Sequence, residues 1–483
     1  MPGPAGPDPG PQRPQRPAPS PSQRRRTPPP LFRRRLPSGR GAMEQPNVTH
    51  DLAPLTARFW ATVVLVGVAT GLLGDGLMAI LFTTEHLAFG FHQGGSFLAA
   101  VSRASALRRV VVLALSGLLG SVAWFVLRRL TAGQHAEIDH ALWRGDARLS
   151  VPRSLGTSVI SEVVVGMGAS IGREAAPKLM GGVAGSVVAD WFRLTPEQRW
   201  LLVACGGGAG LACVYNVPLG GALFTAEVLV GTLSLPVALP ALACSWVATV
   251  TAWLYLPRHA TYTNVPTYHF AFTLLAFSLP AGVLIGVLAA LLIRLVGIVS
   301  HHRLQGWRTI PASVLGFAAL GALGIAYPQL FGNGKGMAHE AFLGVGTLGL
   351  FAALAALKPL ATTMTLGVGA SGGLFTPFMS TGAALGGFLG LAWSHLWPGA
   401  PAGAYATIGA AAMIGAAMQA PLAGLVLILE LTHNGFELMV PVIAATVLAT
   451  AVARQLDGYS IYSARLPALP PSAAPSAPEP EAA

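Results

Sequence analysis

Apolar residues run through the chain in blocks from about Ala53 to Val452, parted by short polar or glycine-rich stretches. Six blocks are uninterrupted: Phe59–Phe82, Val110–Val126, Thr273–Val299, Val314–Tyr327, Phe342–Leu357 and Met439–Val452. They predict helices, several of them near the roughly 20 residues that cross a bilayer. Other blocks are cut into shorter pieces by Gly and Pro: Gly166–Val188, Leu201–Leu229, Gly367–Trp393 and Tyr405–Leu431. Interrupted helix inside a membrane needs protein or water around its free backbone groups. The interruptions therefore predict a pathway through the interior.

The interrupted blocks repeat. Gly168-Ala169-Ser170-Ile171-Gly172-Arg173-Glu174-Ala175-Ala176-Pro177 is similar to Gly369-Ala370-Ser371-Gly372-Gly373-Leu374-Phe375-Thr376-Pro377. Some forty residues on in each half, Val217-Pro218-Leu219-Gly220-Gly221 is similar to Ala420-Pro421-Leu422-Ala423-Gly424, and Glu227 and Glu430 each follow their proline by nine residues. The offset between halves stays between 200 and 203 residues. Matched broken helices in two halves point to a transport site near the midplane. The expected organisation is a membrane domain over residues 51–466, with repeat one near 53–235 and repeat two near 236–455. Spacing alone leaves open whether the repeats are inverted.

Composition agrees. Of 483 residues, 53% are hydrophobic and 10% charged, against roughly 25% charged in soluble domains. That makes the chain a polytopic membrane protein and excludes a nucleic-acid partner despite a net charge of +11. The three cysteines, Cys205, Cys213 and Cys244, lie in apolar runs and cannot all pair within one chain, which excludes a disulfide scaffold. Residues 1–50 hold nine Arg against Asp8 and Glu44, a net of +7, and residues 1–40 hold thirteen Pro. Such a segment cannot bury a core and reads as a disordered basic arm. It is expected on the cytoplasmic side of a cell (inner) membrane, against anionic lipid. Met43 is an alternative start. The Pro/Ala-rich tail 467–483 reads as disordered and too short for a regulatory domain.

The broken helices carry the chemistry. Glycines before Gly172–Pro177 let the chain turn, and Pro177 suits a first helical turn. A helix starting inside the membrane presents free N–H groups and a partial positive end, which attract an anion. Gly373–Pro377 has the same form, with Leu374 and Phe375 at the start. Two such starts would replace the hydration shell of a small anion without holding it too tightly. Arg173 and Ala175 flank Glu174 in the first start, and Arg173 is read mainly as orienting the loop. A carboxylate near the membrane centre costs on the order of 3 kcal/mol. Glu174 is therefore read as a gate that competes with the anion for the N–H groups and lets go when protonated. The plainer reading is a helix cap. Burial and the helix end act on it in opposite senses, so it stays titratable.

These residues resemble the chloride channel (CLC) family of chloride channels and proton/chloride exchangers. Gly172-Arg173-Glu174 is similar to the start of its GREGP motif, and Gly373-Leu374-Phe375-Thr376-Pro377 matches GxFxP. Tyr215-Asn216-Val217-Pro218-Leu219-Gly220-Gly221 resembles FNAPLAG, Gln419 to Leu431 resembles the later APLxG helix, and Tyr462 aligns with the pore tyrosine. The resemblance spans about Ala53 to Leu466. It implies an all-α polytopic membrane protein of two antiparallel (inverted) repeats, with re-entrant helices meeting at the midplane. It implies a homodimer with one pore per subunit, built on helices near Leu201–Leu229 and Tyr405–Leu431. It implies voltage- or proton-sensitive movement of chloride, with Glu174 gating and with Leu374, Phe375 and Tyr462 at the central anion.

Three departures stand out. The family's GSGIP serine is missing: Ala132-Gly133-Gln134-His135-Ala136 is the best match, with Gly133 in the serine's place. Anion selectivity is open, and Gln134 or His135 could supply a donor. GREGP has become GREAAP. Val228 stands where exchangers often carry a proton-relaying glutamate. Glu227 beside it should lie about 100° around the helix, so a proton path through Glu174 and Glu227 is one option and a channel the other.

Other features read plainly. Glu227 and Glu430 suit capped or interfacial roles. His301-His302-Arg303 is a loop, and no metal or cofactor site appears. Gly206-Gly207-Gly208 is not a phosphate loop and reads as close helix packing. Alternatives are a secondary transporter of nitrate, fluoride or an organic acid, and an intramembrane enzyme using Glu174 and Glu227. No nucleophile or metal set accompanies those carboxylates, so no enzyme is expected.

Overall fold

A computed structural model describes residues 55–466 other than His135 and Gly145. The expectations for the arm 1–50, the tail 467–483 and His135 lie outside the described residues. Among the described residues no extended strand forms, and eight helices are long and apolar enough to span a membrane.

The first half runs α1 (Ala57–Phe89), α2 (Phe97–Arg103), α3 (Ala106–Leu130), α4 (Ile138–Arg144), α5 (Val151–Gly166), α6 (Ala175–Trp191), α7 (Pro196–Tyr215), α8 (Pro218–Leu223) and α9 (Leu235–Ala252). A π-helical turn, Phe224–Val230, continues α8. The second half runs α10 (Phe272–His301), α11 (Thr309–Ala326), α12 (Lys335–Phe342), α13 (Leu348–Gly367), α14 (Phe375–Trp393), α15 (Ala402–Met418), α16 (Pro421–Thr432) and α17 (Met439–Leu456). Helix starts follow their capping residues. The side chains of Thr56, Ser105, Ser150, Thr195 and Thr347 each accept a first-turn N–H, which relieves a donor the helix cannot satisfy itself.

The boundaries differ from the hydrophobic pattern in two places. The block Phe342–Leu357 is not one helix: α12 ends at Phe342, Gly344 turns the chain at φ +72°, and Thr347 caps α13. Helix α5 escaped the pattern because it buries polar residues, Ser154, Ser158, Ser161 and Glu162.

The halves are equivalent and exchange contacts. Gly168 and Gly369 both have φ +103°, and the left-handed caps Asn216 and Gln419 have φ 57° and 56°. Gly172 and Gly373 form an antiparallel bridge: each N–H donates to the other's carbonyl, at 2.7 and 2.8 Å. A second exchange links α8 with α16. Glu227 accepts from the N–H of Leu422 and Ala423 at 3.3 and 2.7 Å, and Glu430 from those of Leu219 and Gly220 at 3.1 and 2.6 Å. Reciprocal contacts between equivalent positions are what a two-fold relation between repeats produces. The chain is thus an all-α polytopic membrane protein of two inverted helical repeats.

Packing repeats likewise. Helix α6 crosses α7 where Gly181 meets Gly206; a methyl carbon at either would lie 2.0 or 2.1 Å from the other's carbonyl oxygen. In the second half α14 crosses α15 at Gly382 and Gly409, with 2.6 and 2.4 Å. Small residues let buried helices approach this closely, so the glycine run after Cys205 is a packing surface. Helices α7 and α15 are enclosed on all sides from Leu201 and Gly403 onward. They cannot supply the outer surface expected around Leu201–Leu229 and Tyr405–Leu431. Only Leu219 and Leu422, on α8 and α16, are substantially exposed there.

Candidate functional site

Two loops, residues 168–174 and 369–374, enter the interior and deliver α6 and α14. Glycines open both loops, and the bridge Gly172–Gly373 clamps them together. Helix α6 begins at Ala175 with Glu174 as its N-cap; α14 begins at Phe375 with Leu374 as its N-cap. Neither start has a side-chain cap from its own N-cap residue.

Glu174 turns away from its own helix and caps the other. Its Oε1 accepts from the Phe375 N–H at 2.8 Å; its Oε2 accepts from Thr376 Oγ1 at 3.1 Å and from the Tyr215 hydroxyl at 3.3 Å. The Tyr215 and Thr376 oxygens are themselves 2.6 Å apart. All of these groups are buried. A carboxylate with a backbone amide and two hydroxyls around it has the donor set that a bare anion would need. Gly172 and Gly373 make room for it. A methyl carbon at either would lie 2.2 or 1.9 Å from Glu174 Oε1.

Arg173 is buried, and its guanidinium lies 5.1 Å from the centre of the Tyr215 ring. It steadies Tyr215, in keeping with a loop-orienting residue. Tyr215 is further fixed by its carbonyl, which accepts from Thr261 Oγ1 at 2.7 Å, and by Phe375, whose ring centre is 6.0 Å away. Sequence reasoning named Tyr215 only as part of a motif and Thr376 only by its place before Pro377. Their positions beside a left-handed cap and in the first turn of α14 were the available signals.

Tyr462 is buried, 5.8 Å edge-to-face from Phe224, with Lys178 Nζ 4.4 Å from its ring centre. Gly133 is exposed in a left-handed turn at φ +77°, with open space where a side chain would stand. The Gln134 amide oxygen accepts from Ser150 Oγ, at the start of α5. Val228 is buried within the π-helical turn, and the Glu227 carboxylate is held on the start of α16. Lys358, fully buried, donates to Ser170 Oγ, Leu330 O and Gly332 O at 2.9, 3.1 and 2.8 Å, binding α13 to the first loop.

The profile of the family described as voltage gated chloride channel matches residues 119–454. The chain belongs to that family. Among relatives of the voltage gated chloride channel family, it is 30% identical over 409 residues to the voltage-gated ClC-type chloride channel ClcB of Citrobacter koseri, covering 82% of this chain and 96% of the relative. The ClcB of Salmonella dublin is 32% identical over 379 residues, covering 76% and 89%. Among solved structures, a slow cyanobacterial Cl-/H+ antiporter shares the fold at TM-score 0.74 and 23% identity, covering 85% of this chain and 97% of that one. A CLC-type fluoride/proton antiporter does so at TM-score 0.66 and 18% identity, covering 84% and 97%.

Proposed function

We propose that the chain moves chloride or a similar small anion across the membrane, with Glu174 as the gate. The observation that carries this reading is the Glu174 carboxylate lodged on the Phe375 amide, where two buried helix starts meet. An anion in the same place would take the same donors. Protonation of Glu174 removes the negative charge and the need for three donors, and the position becomes free. Leu374, Phe375 and Tyr462 stand along the path, while Arg173 and Ala175 shape the first start.

Transport is passive or weakly coupled to protons. Val228 offers no proton site, and both Glu227 oxygens are engaged by backbone N–H groups. Proton/chloride antiport is the second reading, favoured by an acid at the gate itself. The protein works as a homodimer, pairing through exposed Leu219 and Leu422 on α8 and α16 with the neighbouring apolar faces of α9 and α17. Its amino terminus faces the cytoplasm, since the arm is strongly basic.

Reconstituted vesicles test this. Chloride efflux should proceed without any organic substrate, and crossed chloride and pH gradients should give a reversal potential near the chloride value. No efflux, or efflux only with an organic acid present, overturns the proposal. A fixed proton ratio replaces it with antiport.

A further inference from the structure

The chain carries 30 basic residues, and only three are lysine: Lys178, Lys335 and Lys358. Lys178 stands in the first turn of α6, four residues after Glu174 and so on the same helix face. Its Nζ is 3.2 and 3.0 Å from Asp139 Oδ1 and Oδ2 on α4. It also lies 4.4 Å from the centre of the Tyr462 ring and 5.9 Å from that of Phe224. The two charged side chains are 11% and 16% exposed. The Lys178–Asp139 pair therefore adjoins Tyr462, and Lys178 stands one helical turn after Glu174 on the same helix.

A buried ion pair is weak support for a fold, because desolvating both charges offsets most of their attraction. Gly133 replaces the hydroxyl that the resemblance leads one to expect, and it is exposed beside open space. An ammonium has three donors. Asp139 engages one side of it, and the Tyr462 ring face borders another.

We propose that Lys178 is the anion-coordinating cation at the Tyr462 end of the pathway. It supplies a positive donor beside Tyr462, and Asp139 sets how much of its charge the anion meets. This rests on the anion-pathway reading above. A compact ammonium suits a spherical anion; the planar fork of arginine suits carboxylate and phosphate. That accounts for a lysine at this position in a chain whose basic residues are mostly arginine. The lysine makes anion binding tighter and release slower than a serine would, and Asp139 keeps release from becoming too slow.

The full-length protein is assayed by chloride titration calorimetry in detergent and by chloride efflux from vesicles. Lys178→Met should weaken chloride binding tenfold or more, and Lys178→Arg should restore it only in part. Asp139→Asn should act oppositely, tightening binding severalfold and slowing efflux. A merely structural pair gives the same sign for both: lower thermal stability and unchanged chloride affinity. That result overturns the proposal. If Lys178→Met does not fold, Asp139→Asn decides alone, since unchanged affinity refutes and tighter binding supports. Normal wild-type efflux with unaltered variants defeats only the role of Lys178. Absence of wild-type efflux defeats the anion pathway and this role with it.

Discussion

Glu174 Oε1 and the Phe375 amide are 2.8 Å apart, although 201 residues separate them along the chain. A residue of one repeat thus caps the helix of the other. Its own helix, α6, is left without that cap. The capping carboxylate and the helix start come from different halves, so in the proposed gating a group that protonates in one repeat vacates a position built by its partner.

Replacing Glu174 tests the competition directly. With Glu174→Ala, the Phe375 amide and the Thr376 and Tyr215 hydroxyls lose their resident acceptor. Anion efflux should rise and become independent of pH. Glu174→Gln should also abolish the pH dependence, since nothing is left to protonate. In the wild type, efflux should increase as pH falls, because the neutral acid releases the amide. Flux measured from pH 4 to pH 8 checks this; a retained pH slope in Glu174→Gln would count against gating.

Gly373 offers a way to move the carboxylate without changing it. A methyl group there would come within 1.9 Å of Glu174 Oε1, and the backbone at Gly373 is not left-handed. The loop backbone therefore admits alanine, and the three nearest atoms its methyl would meet all belong to Glu174. Gly373→Ala should raise efflux at neutral pH by severalfold. Combined with Glu174→Ala it should add nothing, because the group it displaces is already gone. Additive effects would place the action of Gly373 elsewhere.

Much of this was legible in the sequence, for a physical reason. Glycine and proline breaks, the repeated spacing and Glu174 are local features with local signatures. The offsets of 201 and 203 residues reappear as equal backbone angles and reciprocal bonds. What stayed hidden is pairwise. Nothing in the order of residues brings Asp139 to Lys178, or Tyr215 to Thr376, since those contacts depend on how α4, α6, α7 and α14 pack. The polar helix α5 was missed because its face turns inward and carries serines.

Lys358 has three acceptors for its three donors, which makes a buried cation tolerable. Lys358→Met removes all three bonds and leaves Leu330 O and Gly332 O without this partner. The expected loss is about 3 kcal/mol, seen as a lower melting temperature in detergent. The loop carrying Ser170 also carries Glu174, so the gate should loosen and basal efflux rise. An unchanged melting temperature would show that the loop does not depend on this anchor.

Glu227 and Glu430 separate a cap from a proton relay. Each carboxylate receives two backbone N–H groups at the start of a helix in the opposite repeat. A negative charge at a helix start is worth about 0.3–1 kcal/mol at an exposed site and more when partly buried. Glu227→Gln and Glu430→Gln each lose the charge and turn one acceptor into a donor facing an N–H. The two-fold relation requires similar penalties, so both variants should melt lower by similar amounts. A relay has no such symmetry, because Tyr462 and Glu174 do not recur at the equivalent positions of the other half. If Glu227 passes protons, Glu227→Gln alone should shift the reversal potential under crossed chloride and pH gradients. Equal destabilisation with an unmoved reversal potential in both variants is the outcome the capping geometry requires.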